Sequence, residues 1–164
     1  MKTMIIYYSY GGSTETVAET LSNELDADIV EIKDLKDRSG FKNRLMSSID
    51  AFRETKTKIN PMRVDLTDYD IVYFGTPTWA SNPAPAIITI IDRCDLRAKD
   101  VVLFATMSTG GGASAIKRME EKVKARGARV IETFTLKTKD KSEEAIIKDS
   151  EVLIELLDLN MYTK

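Results

Sequence analysis

The sequence predicts an α/β fold: a doubly wound, five-stranded parallel sheet with helices on both faces. Three observations carry this. Short runs rich in Val, Ile, Tyr and Phe alternate with helical patterns along the 164 residues. Some of those runs are nearly continuous apolar segments, which signals strands buried on both faces. Strand–helix alternation sustained along the chain implies parallel strands joined by right-handed crossovers.

Each element follows from its local pattern. Met4–Tyr8 is the first candidate strand, bounded by Ser9-Tyr10-Gly11-Gly12. Ser13–Leu25 reads as a helix, because Val17, Leu21 and Leu25 recur at a spacing of four with Ala18 beside them. Asp28–Ile32 is the second strand, and Phe41–Glu54, with Phe41, Leu45, Ile49 and Phe52, a second helical pattern. Thr55–Pro61 is linker-like but too short to divide domains. Ile71–Phe74 is the third strand; Ala84–Cys94 follows as a helix with Ile87, Ile88 and Ile91 on one side. Val101–Thr106 is the fourth strand, then a helix over Ala113–Arg126 with Ile116, Met119 and Val123, and Gly127 at the cap position. Arg129–Leu136 is the fifth strand, and Glu143–Leu159 a final helix whose early acids suit its dipole. No repeat or low-complexity tract interrupts this series, so the chain reads as one domain over residues 1–164.

Composition removes whole classes of function. With no histidine, Ser-His-Asp and Cys-His triads and His-ligated zinc are excluded. A single Cys94 excludes an internal disulfide and fits a reducing, cytoplasmic setting. A net charge of −2 argues against nucleic acid as a partner. No segment approaches the ~20 apolar residues of a membrane span, and the N-terminal apolar run is too short for a signal peptide. The charges are nonetheless blocked. Residues 36–63 hold eight Lys/Arg against three acids, residues 15–34 seven acids against one Lys, and residues 140–164 seven acids against three Lys. Such blocks steer partners or are simply the solvated faces of helices.

Ligands of open parallel sheets bind outside the carboxyl ends of the strands. Three loops leave candidate strands there. Ser9-Tyr10-Gly11-Gly12-Ser13-Thr14 brings hydroxyls and glycines to a helix start, where unpaired N–H groups and the dipole favour an anion. It contains no Lys or Arg, so a phosphate would be held by neutral donors; the competing reading is a plain turn with Ser13 as N-cap. The Walker-A and dinucleotide-binding patterns are both absent. Gly75–Pro83 holds the only tryptophan, Trp79, between Thr78 and Ala80. An indole there suggests a stacked planar ligand, with burial in the core as the alternative. Thr106-Met107-Ser108-Thr109-Gly110-Gly111-Gly112 resembles a backbone nest that donates N–H groups to ligand carbonyls.

At these loops the chain resembles the flavodoxin family over nearly its whole length. That family follows its first strand with Ser/Thr-x-Thr-Gly-x-Thr; Ser9, Gly12 and Thr14 match, and Gly11 replaces the middle Thr. Gly75-Thr76-Pro77-Thr78-Trp79 looks like the second loop of small flavodoxin-like proteins, whose Trp packs on the flavin. The resemblance implies non-covalent FMN and the strand order 2-1-3-4-5. It implies contacts from Ser9, Tyr10, Gly11, Gly12, Ser13 and Thr14 to the phosphate, and from Thr76, Pro77, Thr78, Trp79 and Ala80 to the ring. Ser108, Thr109, Gly110 and Gly111 would lie on the pyrimidine side. Two positions depart from the pattern. The third loop carries no aromatic where many members place a Tyr, which leaves one ring face open. Ala80 stands where a Gly often allows a peptide flip, and it tolerates positive φ less well by ~1 kcal/mol.

The expected function is electron transfer between redox partner proteins, or to a small-molecule acceptor, by a monomer or homodimer. An FMN-dependent NAD(P)H:quinone or flavin reductase is the enzymatic alternative, and a binding module without FMN the other. No residue stands out as a catalytic acid or base, and no metal site is expected.

Overall fold

The computed structural model describes residues 1–36 and 56–163. In chain order the elements are β1 (Thr3–Tyr7), α1 (Ser13–Leu25), β2 (Asp28–Glu31), β3 (Lys33–Asp34), β4 (Ile59–Asn60), β5 (Ile71–Trp79) and β6 (Asn82–Pro83), followed by α2 (Pro85–Arg93), β7 (Asp100–Met107), α3 (Gly112–Ala125), β8 (Arg129–Lys137), α4 (Glu143–Leu156) and a 3-10 turn over Leu159–Tyr162. The expected helix over Phe41–Glu54 lies outside the described residues.

The main sheet runs β2-β1-β5-β7-β8, each neighbouring pair parallel. These are the five expected strands in the expected order. Successive side chains of a strand point to opposite faces, and both faces are covered. On one, Ile5, Tyr7, Tyr73, Val102 and Phe104 pack against Val17, Leu21 and Leu25 of α1 and Ile146 and Ile154 of α4. On the other, Met4, Ile6, Val72, Phe74, Val101 and Leu103 meet Ile87, Ile90 and Ile91 of α2 and Ile116, Met119 and Val123 of α3. Burial on both faces is why these strands read as unbroken apolar runs rather than as alternations.

The structure departs from the sequence reading in three places. β5 does not end at Phe74 but continues to Trp79, then folds back antiparallel as β6 through the two-residue turn Ala80-Ser81. Gly75, Thr76 and Pro77 carry turn composition, yet they extend a central strand. β1 pairs with β5 only as far as Gly75, so Pro77 sits where that side of β5 has no neighbour to miss its N–H. Within the expected linker, Ile59–Asn60 pairs antiparallel with Lys33–Asp34, and the preceding Thr57 N–H donates to Thr89 Oγ1 at 3.0 Å. The last helix stops at Leu156 rather than Leu159, since Asp158 turns left-handed at φ 52°.

Packing also dictates one residue type on β5. A Cβ at Gly75 would lie 2.1 Å from Phe104 Cζ, so the Phe104 ring of β7 occupies the space of the missing side chain. That close approach lets β5 and β7 stay paired as far as Pro77 and Thr106, at the strand ends where the loops gather.

Candidate functional site

The first loop delivers a helix start without a side-chain cap. Gly12 is the N-cap of α1 at φ 99°, a conformation that glycine adopts without penalty. Its N–H donates to Ser9 Oγ at 3.1 Å, and its carbonyl accepts from Thr16 N at 3.0 Å and Thr16 Oγ1 at 3.0 Å. Ser13 therefore opens the helix and does not cap it, contrary to the turn reading. The first N–H groups of α1 have no intrahelical acceptor by helix geometry and face outward as anion donors. Gly11 is exposed, with open space where a side chain would be. Thr14 is 2% exposed, and its Oγ1 lies 2.7 Å from Thr106 Oγ1, at the end of β7.

The second loop is a hairpin. Ala80 and Ser81 both take positive φ, 50° and 62°, as the tight turns that match strand twist require. Asn82 Nδ2 braces this turn by donating to the Ala80 carbonyl at 2.7 Å. Ala80 thus adopts the left-handed backbone that its side chain disfavours. Thr76 is fully buried; its Oγ1 accepts from Ala84 N at 2.9 Å and donates to the Pro77 carbonyl at 2.8 Å, so its hydroxyl braces the hairpin from inside. Trp79 is half-buried against the α2–α3 core and meets two tyrosine rings edge-on, Tyr8 at 5.7 Å and Tyr10 at 5.7 Å. It is neither the free indole nor the fully buried one that the sequence left open. Thr78 Oγ1 is buried and has no hydrogen-bond partner among the described residues.

In the third loop Ser108, Thr109 and Gly110 are exposed, and Gly111 caps α3 at φ 88°. A Cβ on Gly111 would meet Ser81 Oγ at 2.9 Å and Thr78 Cγ2 at 3.2 Å, so this loop rests directly on the hairpin.

The loops therefore lock one another in a triangle. Tyr10 of the first touches Trp79 of the second; Gly111 of the third lies against Thr78 and Ser81 of the second; Thr14 of the first bonds Thr106 where the third begins. Cavities flank the triangle, one of about 430 Å³ beside Ser9, Tyr10 and Glu31 and one of about 510 Å³ beside Ser81, Ser114 and Lys117. The sequence places most of these positions in the candidate loops, Ser81 and Thr106 included, but gives Ser81 and Thr106 no ligand contact and reads Tyr8 as strand. Tyr8 was spent as a strand residue and Thr106 as the last residue of one; their partners are 71 and 92 residues away or reached only through the fold, which no local pattern displays.

Acids from separate elements converge beside the site. The Tyr7 phenol is pushed well up by burial first and then by Glu31, Glu15 and Glu19. Burial, then Glu15, raises the Glu19 carboxyl above its usual range, with Glu143 and Glu31 adding to it. Two acidic sequence blocks thus meet across α1, β2 and α4. Among the described residues no group of His, Cys, Asp or Glu could hold a metal ion, and no helix is long and apolar enough to cross a membrane.

Comparison with known proteins bears on the same geometry. The family model described as Flavodoxin matches residues 2–148. A flavoprotein of Lactobacillus acidophilus NCFM solved in complex with FMN is 28% identical, with a TM-score of 0.70 over 82% of this chain and 92% of that one. Oxidised flavodoxin 2 of Bacillus cereus is 23% identical at a TM-score of 0.61, over 96% and 99% of the two chains. Two-electron-reduced flavodoxin of Megasphaera elsdenii is 18% identical at 0.55, over 93% and 98%. At the last two identities the likeness is one of fold.

Proposed function

The chain belongs to the flavodoxin family, and from that premise we propose that it binds FMN non-covalently across the three loops and serves as an electron carrier between redox partners. The observation that carries this reading is the contact between an anion-ready helix start and an aromatic cluster: Tyr10 of the Ser9–Thr14 loop packs on Trp79 at 5.7 Å. A phosphate donor set and a planar-ring surface thereby lie side by side, as a flavin mononucleotide demands.

The residues fit the cofactor in chemical kind. Ser9, Ser13 and Thr14, with the free N–H groups of the first turn of α1, supply neutral donors to a dianionic phosphate, and the helix dipole supplies the positive end that the loop lacks in side chains. Gly11 and Gly12 let the backbone come close. Trp79 and Tyr10 would offer the ring an aromatic surface on the hairpin side, with Pro77 and Ala80 beside them. The buried Thr78 Oγ1, without a partner among the described residues, is a hydroxyl that a ligand would satisfy. Ser108, Thr109, Gly110 and Gly111 line the opposite rim, while Thr76 acts by holding the hairpin in place. When bound, the flavin supplies the redox chemistry, and the protein its placement and electrostatics. The chain's own part would be to hold the phosphate and present an aromatic surface to the ring, while the third loop, which carries no aromatic, would leave room for a partner. Burial pushes the Cys94 thiol up to about 12, which disfavours the nucleophilic thiolate, and a single cysteine fits the proposed reducing, cytoplasmic setting.

The test is optical. The purified chain should take up FMN, quench its fluorescence and turn yellow; a colourless protein that leaves FMN fluorescence unchanged overturns the reading. Trp79→Ala should weaken FMN binding by ~1–3 kcal/mol through lost stacking and burial, roughly 5- to 150-fold in Kd. Steady turnover of NAD(P)H with a quinone by the FMN-loaded protein alone would replace the carrier with a reductase.

A further inference from the structure

We propose that Thr106 is a positioning residue for the phosphate end of the site: its hydroxyl donates to Thr14 Oγ1, which turns the Thr14 proton towards the bound anion and favours phosphorylated over unphosphorylated flavin. This rests on the FMN reading above. Thr14 Oγ1 and Thr106 Oγ1 are 2.7 Å apart, on residues 2% and 3% exposed. Each hydroxyl carries one proton and two lone pairs. The pair therefore holds two protons and shares one between its members, and neither hydroxyl makes a second hydrogen bond among the described residues.

Direction decides where the remaining proton goes. Thr106 lies inside β7, in register with Pro77 of β5 on one side and Leu136 of β8 on the other. If Thr14 donated, the spare proton would stay on Thr106 within the sheet, a buried donor with nothing to receive it. With Thr106 donating, the spare proton sits on Thr14, in the first turn of α1 beside the free N–H groups. An anion bound there completes the arrangement. Ser9 shows the same design: its Oγ accepts from Gly12 N at 3.1 Å and so keeps its own proton to give. A loop without Lys or Arg thus has two hydroxyls whose lone pairs are filled from behind, and hydrogen bonds arranged in a chain polarise and strengthen one another. Riboflavin, lacking the phosphate, has no use for the arrangement.

The experiment compares FMN and riboflavin affinities by fluorescence quenching in the full chain. Thr106→Val keeps the shape and removes the donor; its FMN Kd should rise about three- to tenfold, the scale of one hydrogen bond between neutral groups, with the riboflavin Kd unchanged. Thr106→Ser restores the hydroxyl and should restore FMN affinity. Thr14→Val should show the same phosphate-specific loss, and the double variant Thr14→Val/Thr106→Val should bind no worse than Thr14→Val. An FMN Kd of wild-type value in Thr106→Val, equal loss of FMN and riboflavin, or additive losses in the double variant would each overturn the proposal. Thr106→Ala serves in the same comparison if the valine variant does not fold. Failure of the wild-type chain to bind FMN at all is a different result, which removes the functional reading beneath the proposal.

Discussion

Gly75→Ala is the substitution for which the structure gives the sharpest expectation. The new methyl carbon would lie 2.1, 2.4 and 2.7 Å from three atoms of the Phe104 ring. Ordinary carbon contacts are ~3.5–4.0 Å, so ring or strand must shift by more than an ångström. The ring has little room to do so: Phe104 is 1% exposed and stacks on Phe134 at 5.4 Å with 7° between the planes. Gly75 is not in a left-handed conformation, so alanine costs nothing in backbone terms and the whole penalty is steric. Overpacking of this kind destabilises by ~1–3 kcal/mol, which in a domain of this size lowers Tm by about 2–4 °C per kcal/mol. Urea denaturation of the wild type, Gly75→Ala, Phe104→Ala and the double variant closes a thermodynamic cycle. Phe104→Ala alone should cost ~3–5 kcal/mol through the cavity it leaves. In that background Gly75→Ala should be neutral or stabilising, because its methyl enters the vacated space. If it costs the same with and without the Phe104 ring, the reasoning is refuted.

Three other outcomes follow from the geometry. Ala80→Gly relieves a positive φ of 50° in the hairpin turn and should stabilise by about 0.5–1 kcal/mol after the added freedom of the unfolded glycine is subtracted, read as an upward shift of the urea midpoint. Gly111→Ala should do the reverse, since it adds strain at φ 88° and drives a methyl to 2.9 Å from Ser81 Oγ; it should lower the urea midpoint and weaken FMN binding together. Glu19 has a raised carboxyl pKa in the fold, so the folded state holds its proton more tightly than the unfolded chain does. Its ionised form is a liability near neutral pH that disappears as pH falls below the unfolded value of about 4.5. Glu19→Gln should accordingly raise Tm at pH 7, by a margin that shrinks to nothing as the pH is lowered through that range; an equal margin at both ends would rule the charge effect out.

What the sequence revealed of the fold is a matter of which signals are local. The three inner strands β1, β5 and β7 announced themselves because burial on both faces writes continuous apolar runs, the edge strands β2 and β8 through their β-branched residues and their place in the alternation, and α1 and α3 because three- and four-residue spacing marks the face they bury. β6 and the far half of β5 did not, because Gly75, Thr76 and Pro77 carry turn composition while serving strand geometry. Pro77 is tolerable only because β1 has already ended beside it, and Gly75 is required only because Phe104 arrives from β7. Both reasons are tertiary. The two-residue turn escaped notice for a related cause: Ala80 and Ser81 have none of the Asn-Gly or Gly-Gly chemistry that advertises a tight hairpin. Their left-handed backbones are held by the Asn82 side chain and by the third loop resting on Ser81.

The site divides along the same line. Donor-rich loops at strand ends are visible in one dimension because glycines and hydroxyls must stand next to each other in sequence to make a nest. The couplings between loops are not, since each is a single contact between distant residues: Tyr10 on Trp79, Gly111 on Ser81, Thr14 on Thr106. Yet those couplings carry the functional argument. A phosphate loop by itself binds any anion weakly, and an indole by itself is usually packing. Locked edge to edge, they set a fixed distance between an anion and a planar ring, and a fixed distance selects a ligand that has both. Loosening the Tyr10–Trp79 or the Gly111–Ser81 corner should therefore cost affinity for FMN beyond the sum of its parts, riboflavin and inorganic phosphate, because what is lost there is the spacing and not the donors.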